Sequence, residues 1–499
     1  MSDVTLPKGW SEDTLGNLVT VERGSSPRPI KNFVTDKNGV NWVKIGDTKE
    51  GQKYVDSTKE MITKEGALKS RFVGIGDFIL SNSMSFGRPY IMAIEGYIHD
   101  GWFALRLPKG INSDYFYYLL SSSFVQGQFQ LLAVGGVVKN ISGDLVKKAK
   151  LPLPSLAEQK VIADKLDILL AQVETSKARL ERIPQILKTF RQSVLAAAVS
   201  GKLTEEWRAE FSPQNIDASN LENELFLKEV THGNFGKKLA KAPCIGSDEL
   251  DLVVRHFEGW PLVRVGSICQ SVVPNRGKPK KFSGGYHWLL TPHFRESSIW
   301  IDYSKIEYGL SEQEVLEYKA KVIKSGNVIM TCVGRVGLSA VLEEDSVINQ
   351  QLHAFIINSS IKAEYLAYCI RANVKYFEAQ ATSTTVSYLN KTSCNSLPIP
   401  LPSFEEQNEI VRRVEELFAF ADNIEQKANA ALERVNNLTQ SILAKAFRGE
   451  LTADWRAQNP DLISGDNSAE ALLEKIKAER EALSGKKKPK KKAAVRKKA

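Results

Sequence analysis

The chain has 499 residues, of which 42% are hydrophobic and 25% are charged, a composition typical of a globular protein with roughly two to four domains. Its formal net charge of +9 comes from one end, because Lys486–Lys498 holds nine of the 67 basic residues and leaves 58 basic against 58 acidic residues elsewhere. The sequence contains no apolar run of membrane-spanning length and does not begin like a signal peptide. Five scattered cysteines without metal-ligand spacing favour reduced thiols and a cytoplasmic location.

Residues 1–154 are predicted to form a first globular domain of the α+β class. Short runs of β-branched and aromatic residues, broken by Gly, Asn and Pro, predict strands such as Trp42–Gly46 and Phe78–Leu80. A helix is expected near Tyr115–Leu120. We refer to this domain as the first head.

Residues 155–210 are predicted to form a long helix with its cap. Pro152 and Pro154 precede a Ser155-x-x-Glu158 capping box, in which a hydroxyl and a carboxylate satisfy the free amide groups at a helix start. Apolar residues then follow at alternating steps of four and three, the spacing of a coiled-coil seam. The seam residues are Ile162, Leu166, Leu169, Val173, Leu180 and Leu187.

A linker over residues 211–255 leads to a second α+β head over residues 256–402. Strands are predicted around Val328–Met330 and Ala354–Ile357, and a helix around Tyr365–Ile370. The two heads match loosely at an offset of 250 residues. Trp10 aligns with Trp260, and Gly76–Ser81 aligns with Gly326–Thr331. We expect both tryptophans to be core anchors rather than base-stacking platforms.

Residues 403–458 repeat the long helix, and residues 459–499 are predicted to form a C-terminal helix and a disordered basic tail. The stretch 399–458 aligns with 151–210 without a gap, with about 20 identical positions. The capping box recurs as Ser403-x-x-Glu406. The second seam consists of Ile410, Val414, Leu417, Ile424, Val435 and Leu438.

Three residues are expected to shape the long helices. Gly201 and Gly449 occupy equivalent positions where a helix C-terminal cap is expected. Pro184 interrupts the first seam and is expected to kink the first helix, because proline removes a backbone hydrogen bond.

The duplication predicts a molecule of two related halves. We expect two α+β heads separated by a pair of long helices that form an antiparallel coiled coil with internal pseudo-two-fold symmetry. Each seam would be roughly 48 Å long at 1.5 Å per residue. The alternative is that each long helix packs only on its own head. A pseudo-two-fold chain suits a partner with two half-sites, for which DNA is the leading candidate.

The sequence favours a reader of DNA over a catalyst. It contains no phosphate-binding loop of the G-x-x-x-x-G-K-[ST] type, no G-x-G-x-x-G turn and no H-E-x-x-H zinc pair. The Asp/Asn-Pro-Pro-aromatic tetrapeptide of amino-methyltransferases is also missing. We therefore expect neither catalytic residues nor a metal site in this chain.

The chain resembles the specificity subunits of type I restriction–modification systems over essentially its whole length. The P-x-P-S-x-x-E-Q helix starts, the two heads each followed by a long helix, and the closing G-x-L-T-x-x-W-R carry this resemblance. The tract from Gln440 to Gly465, followed by ALLEKIKAER, points to the enterobacterial K-type subfamily. The resemblance implies that each head reads one half of an asymmetric bipartite DNA site.

The same resemblance implies how the chain works with partners. The paired helices would set the length of the unread gap and dock modification subunits, two of them in our expectation, that methylate adenine N6. Restriction subunits would add an ATP-driven motor and nuclease. This chain would bind no cofactor, and S-adenosylmethionine, ATP and Mg would be needed in the partner subunits.

Three pairs of segments are candidates for DNA contact. Lysines suit phosphate, whereas arginine can bond the O6 and N7 atoms of guanine. The first pair comprises Arg23, Ser25, Ser26, Arg28 and Lys31 in one head, and Arg276, Lys278, Lys280 and Lys281 in the other. The second pair comprises Asn82, Ser83, Ser85 and Arg88, with Arg335 in the second head. The third pair comprises Lys139 and Asn140, with Ser383, Thr384, Thr385 and Tyr388 in the second head. The alternative is that these segments are solvated turns.

Apolar residues beside the seams leave a second question open. Leu169 with Leu170, and Leu417 with Phe418, could form docking surfaces for modification subunits or extra core packing.

Two other functions are compatible with the pattern. One is a coiled-coil scaffold with protein-binding heads, and the other is a DNA-binding regulator that acts alone.

Overall fold

The protein is described by a computed structural model over residues 6–49, 51–82, 87–132, 141–211, 245–274, 278–381 and 386–485. By packing, the chain divides into two compact units. Unit 1 combines Met1–Leu180 with Ala431–Ala499, and unit 2 is Glu181–Ala430. Both boundaries fall inside long helices. Within the described ranges, no helix is long and apolar enough to cross a membrane.

The first head folds into short strands arranged in small sheets, as its turn-rich sequence predicts. In its described part, one five-stranded sheet has the order β3-β6-β4-β10-β7, a second has the order β2-β11-β8-β9-β5, and β1 pairs with β12. The strands are β1 (Ser11–Thr14), β2 (Thr20–Arg23), β3 (Val34–Thr35), β4 (Val40–Val43), β5 (Tyr54–Val55), β6 (Glu60–Ile62), β7 (Arg71–Val73), β8 (Phe78–Ser81), β9 (Pro89–Met92), β10 (Gly96–Ile98), β11 (Trp102–Arg106) and β12 (Lys150–Leu153). Its helices are α1 (Leu15–Leu18), α2 (Lys64–Ala67), α3 (Ser113–Ser121), α4 (Ser123–Leu132) and α5 (Gly143–Val146).

The second head repeats this plan with shorter sheets. Its described residues form one sheet of order β14-β21-β18-β19 and another of order β16-β15-β20-β17, while β13 pairs with β22. The strands are β13 (Leu262–Arg264), β14 (Gln270–Val272), β15 (Tyr286–Leu289), β16 (Gly309–Leu310), β17 (Val322–Ile323), β18 (Val328–Thr331), β19 (Ser339–Val341), β20 (Ser346–Ile348), β21 (Leu352–Ile356) and β22 (Pro398–Pro400). The helices in the described part of unit 2, apart from the long pair, are α7 (Glu205–Phe211), α8 (Ser247–Leu250), α9 (Val265–Ile268), α10 (Glu312–Glu317), α11 (Ala363–Ala372), α12 (Val374–Gln380) and α13 (Lys391–Asn395).

Two long helices, α6 (Leu156–Ser200) and α14 (Phe404–Phe447), follow the two heads. The first is one continuous helix of 45 residues with Pro184 inside it, and the kink expected at this proline stays a prediction. Each unit contains the beginning of one long helix and the end of the other, and these segments share a core. In unit 1, Ile162 of α6 and Phe447 of α14 belong to one buried cluster. In unit 2, Val194 and Ile410 do the same. The helix segments are therefore antiparallel within each unit, as predicted.

The predicted seam is buried over most of its length. Buried seam residues are Ile162, Leu166, Val173, Leu187, Ile410 and Val414, and half-buried ones are Leu169, Leu180, Leu417, Ile424 and Val435. Leu438 does not belong to the seam, because 44% of it is exposed. The buried stripe at the end of α14 passes instead through Leu443, Ala446 and Phe447. A straight helix has 3.6 residues per turn and drifts away from a strict heptad, which leaves Leu438 at the edge of the stripe.

The predicted helix caps form at both copies. Ser155 Oγ accepts a hydrogen bond from the Glu158 amide at 3.2 Å, and Ser403 Oγ accepts one from the Glu406 amide at the same distance. At the other end, Gly201 has φ +82° and Gly449 has φ +73°. Glycine adopts this left-handed conformation without the steric cost that a side chain adds.

The two capping-box glutamates have a different role from the one predicted. Glu158 is fully buried, and its carboxylate accepts hydrogen bonds from Trp10 Nε1 at 2.9 Å, Thr452 Oγ1 at 2.6 Å and Arg456 Nη1 at 2.6 Å. The donors come from the first head and from the segment after α14. A buried carboxylate needs strong hydrogen-bond donors, and here they include the charged guanidinium of Arg456 and the indole N–H of Trp10. Both residues are far from Glu158 in the sequence. We call this set, Glu158 with Trp10, Thr452 and Arg456, the first clasp.

Unit 2 contains the same arrangement. Glu406 accepts hydrogen bonds from Trp260 Nε1 at 2.9 Å, from Thr204 Oγ1 at 2.8 Å and from Arg208. We call this set the second clasp. The Arg208 guanidinium also lies over the Trp260 ring, 5.2 Å from its centroid. The matched tryptophans are thus core anchors, as predicted, and each one fixes its head to the helix that follows.

The end of the chain packs on the first head. After α15 (Ala453–Gln458), helix α16 (Ala469–Gly485) buries Leu472 and Ile476 in the core of unit 1. Lys477 Nζ lies 2.8 Å from Asp13 Oδ2. The C-terminal helix is confirmed, and the basic tail lies outside the described residues. The described cysteines Cys269, Cys332, Cys369 and Cys394 are buried free thiols.

Candidate DNA interface

The predicted loop after β2 lies against a tight turn between β10 and β11. Gly24 makes this approach possible, since a Cβ atom there would lie 2.0 Å from the His99 carbonyl oxygen. The Gly24 amide donates to the Trp102 carbonyl at 2.8 Å. The loop that carries Arg28 is therefore held on the turn His99–Gly101.

Asp100, in this turn, brings two of the predicted segments together. Its carboxylate accepts hydrogen bonds from Ser26 Oγ at 2.7 Å and Arg28 Nη2 at 3.2 Å. Its backbone carbonyl accepts from Asn82 Nδ2 at 2.7 Å and Arg23 Nε at 3.4 Å. The first and second predicted segments of the first head thus meet at one residue that the sequence did not single out.

The charges at this turn are mutually stabilising. The hydrogen bond from the Ser26 hydroxyl, with the nearby positive charge of Arg28, lowers the pKa of Asp100. Burial lowers the pKa of the neighbouring His99, which favours its neutral form. The turn therefore presents a carboxylate and a guanidinium rather than a purely basic surface.

The second head has an equivalent turn at Asn349–Gln351. The Cys332 amide donates to the Gln351 carbonyl at 2.8 Å, just as the Asn82 amide donates to the Gly101 carbonyl at 2.9 Å. Gln350 and Gln351 are exposed here. The acid of the first turn is thus replaced by amides in the second, so the two heads present different chemistry at the same place in the fold.

Two predicted segments of the second head also meet. The Gly334 amide donates to the Ser387 carbonyl at 2.8 Å, and Val333 forms an isolated bridge with Tyr388. Arg335, in the same loop, forms an ion pair with Glu296. This ion pair lowers the pKa of Glu296. Tyr388 is 49% exposed.

The lysine-rich segment of the second head belongs to another region. Lys278, Lys280 and Lys281 are exposed in the chain that leads to β15. Phe282, which follows them, packs on Trp288 with ring centroids 5.8 Å apart. This segment therefore borders the sheet that contains β15, whereas Arg335 follows β18 of the other four-stranded sheet.

Not every predicted residue is equally placed for DNA contact. Arg23, Arg28 and Lys31 are exposed, Ser25, Ser26 and Arg88 are half-buried, and Asn82 is buried. Asn82 therefore supports the turn rather than presenting its amide. The candidates Ser83, Ser85, Lys139, Asn140, Arg276, Ser383, Thr384 and Thr385 lie outside the described residues, and their roles stay predictions.

Sequence reasoning missed the turn residues Asp100, Gln350 and Gln351. A signal for them exists, because Ile98–Trp102 and Ile348–Leu352 align at the same offset of 250 that relates the heads. The sequence prediction rested on clusters of basic residues, and neither turn contains one. Across the described ranges, no cluster of three His, Cys, Asp or Glu residues could hold a metal ion.

The apolar residues beside the seams are partly buried against the cores of the heads. Leu170 packs on the cluster of the first head, and Leu417 and Phe418 pack on that of the second. Other helix residues remain exposed, among them Ile168 in unit 1, and Ile186 and Phe420 in unit 2. The extra packing that we considered as the alternative is therefore the better description of Leu170, Leu417 and Phe418.

Comparison with known proteins places both heads and both helices in one family. A family model described as the type I restriction modification DNA specificity domain matches residues 7–185 and again residues 258–434. The chain is 34% identical to the EcoKI specificity subunit of Escherichia coli K12, with 99% of this chain and 100% of the relative covered. It is 36% identical to the StySPI specificity subunit of Salmonella potsdam, with 98% and 99% covered.

A solved structure supports the fold. The crystal structure of the HsdS subunit from Thermoanaerobacter tengcongensis matches with a TM-score of 0.57 at 19% identity. The match covers 90% of this chain and 99% of that one. At this identity the likeness concerns the architecture, including the predicted α+β heads and long helices.

Proposed function

Because the chain belongs to the family of type I restriction–modification DNA specificity subunits, we propose that its two heads read the two halves of one asymmetric DNA site. The chain is the DNA-recognition subunit of such a system, and subunits of this kind are not catalytic. The observation that carries the proposal is the double match of the family model, once over each head with its helix. Different chemistry at equivalent turns, Asp100 against Gln350 and Gln351, supports two different half-sites.

The long helices set the unread gap between the half-sites in this proposal. They contain 45 and 44 residues, and each contributes to both compact units. A continuous helix transmits a fixed spacing because it has a fixed rise per residue. The gap would then depend on helix length and not on DNA sequence.

The long helices also dock the modification subunits in this proposal, because a partner helix would bury their exposed apolar residues. Ile168, Ile186 and Phe420 are each 61% exposed on α6 and α14. The partners would be modification subunits that methylate adenine N6 and restriction subunits that use ATP. S-adenosylmethionine, ATP and Mg would be bound by those partners, and the assembly would be cytoplasmic.

Mapping of DNA methylation tests the proposed function. Long-read sequencing would compare host DNA with this chain present and deleted, while the modification subunit is expressed in both strains. We expect a bipartite adenine-methylated motif that disappears on deletion. An unchanged methylome, together with failure of the chain to capture the modification subunit in a pull-down, would contradict the proposal and favour a scaffold.

A further inference from the structure

Each head presents an exposed arginine that is bound by a carboxylate from another segment. In the first head, Arg28 and Asp100 lie 72 positions apart in sequence, and their side chains are 73% and 45% exposed. In the second head, Arg335 is bound by Glu296, with side chains 52% and 58% exposed. Both arginines belong to segments predicted to contact DNA.

The two ion pairs do not occupy equivalent positions in the two heads. Arg28 follows β2, whereas Arg335 follows β18. Their acidic partners lie in the turn before β11 and in the segment between β15 and β16. The same arrangement therefore occurs in both heads through different loops. This recurrence calls for an explanation that concerns the surface rather than one inherited contact.

Stability does not supply that explanation. An ion pair between exposed side chains contributes about 0–1 kcal/mol at most, because water screens both charges. A carboxylate on a surface that meets DNA also weakens its attraction for phosphate. On a protein whose task is DNA binding, such an acid costs affinity and adds little stability.

The carboxylates can instead improve discrimination. An arginine has five N–H donors, and the Asp100 bond engages one nitrogen of Arg28. The remaining donors can still bond the O6 and N7 atoms of guanine, which carry no net charge. Contact with phosphate loses more, since the carboxylate neutralises the guanidinium and repels the anion.

We propose that Asp100 and Glu296 are specificity-determining residues, which hold Arg28 and Arg335 for base contact and suppress binding to DNA outside the recognised site. This inference rests on the proposed function of the heads. Each acid acts on one half-site, because each belongs to a different head. Both residues position an arginine in addition to repelling phosphate.

The test uses the full chain in complex with its modification subunit, with the variants Asp100→Asn and Glu296→Gln. Both substitutions remove a charge and keep the side-chain size. We expect affinity for DNA without the site to rise about fivefold at low salt, the effect of one unit charge about 4 Å away in water. The slope of log affinity against log salt should steepen by about 0.9 for each added phosphate contact.

Methylation mapping of the same variants supplies the second readout. Asp100→Asn should relax the motif at positions within one half-site, and Glu296→Gln should relax the other half-site. A merely structural loss would lower methylation at all sites equally, without a change in the motif. Thermal unfolding of each variant would establish that its fold is retained.

Matched controls break comparable ion pairs elsewhere in each head. Glu12→Gln removes the partner of Lys150 in the first head, and Asp345→Asn removes the partner of Lys324 in the second. Both controls should retain the wild-type motif and salt slope.

Two failures are distinguishable. If wild-type complexes methylate a bipartite motif but Asp100→Asn and Glu296→Gln leave both motif and salt slope unchanged, the carboxylate proposal is wrong and the proposed function stands. The same holds if the two variants relax the same half-site. A wild-type complex without any sequence motif would overturn the proposed function together with this inference.

Discussion

Trp10 Nε1 donates a hydrogen bond to Glu158 Oε2 at 2.9 Å, and this bond joins the first head to the helix that follows it. The same carboxylate also bonds Thr452 and Arg456, which come after the second long helix. One buried side chain therefore links three parts of unit 1 that are far apart in sequence.

Substitution of Glu158 tests the energetic importance of the first clasp. Glu158→Ala would leave Arg456 without its buried partner. We expect the free energy of unfolding to decrease by about 3–5 kcal/mol. Chemical denaturation of the purified chain measures this change. Glu416→Ala is the control, because Glu416 pairs with Arg412 at the surface and should contribute less than about 1 kcal/mol. Equal effects of the two substitutions would contradict the role of the clasp.

Lengthening both long helices should change only the gap. We would insert seven helix-forming residues after Leu180 in α6 and after Ala430 in α14, where both helices pass from one unit to the other. Seven residues add about 10.5 Å, or about three base pairs. Methylation mapping should show a longer gap with both half-sites retained. Altered half-sites would show that the helices also take part in reading.

Exchange of the first head should change one half-site. A replacement for residues 1–154 from another family member should retain a tryptophan at position 10, so that the new head can bond Glu158. We expect one half of the methylated motif to change while the other half and the gap remain. A motif that changes in both halves would argue against independent heads. An exchanged head with Trp10→Phe is the control, because it cannot donate the hydrogen bond to Glu158.

His353 should make the stability of the second head depend on pH. Its ring is almost fully buried, with Nε2 2.6 Å from Ser271 Oγ, and burial lowers its pKa to about 4 from the ordinary 6.5. As pH falls below about 6.5, the unfolded chain takes up the proton before the folded one does. The free energy of unfolding should therefore decrease by about 1 kcal/mol per pH unit down to about pH 4 and then level off.

The variant His353→Gln isolates this contribution. It cannot take up the proton, so the difference in unfolding free energy between wild type and variant should shrink as pH falls from 7 to 4. Denaturant titrations at several pH values measure it. A constant difference over this range would mean that His353 keeps an ordinary pKa.

Much of the architecture follows from local sequence patterns. Ser155, Ser403, Gly201 and Gly449 cap the helices as predicted, because caps depend on a few neighbouring residues. The antiparallel helices follow from the duplicated seam. Leu438 was assigned wrongly because a strict heptad was extended along α14, whereas the buried stripe of a straight helix drifts towards Leu443, Ala446 and Phe447.

The candidate site was less accessible to sequence reasoning. Glu158 looks like a capping residue, and its real partners Thr452 and Arg456 are almost 300 positions away. Asp100 was missed for a similar reason, since its importance comes from the convergence of Ser26, Arg28 and Asn82 on one turn. Patterns along the chain reveal helices and strands, whereas contacts between residues far apart in sequence depend on how those helices and strands pack.

The division into units has a consequence for synthesis. Unit 2, Glu181–Ala430, is one continuous stretch, so all of its residues leave the ribosome together and before the chain is finished. Unit 1 needs residues from both ends, and Thr452 and Arg456 are made long after Trp10 and Glu158. The head that is translated first is thus completed last. A nonsense codon shortly before Thr452 would leave the second clasp complete. The first clasp, whose Trp10 and Glu158 are encoded near the other end of the gene, would lose Thr452 and Arg456.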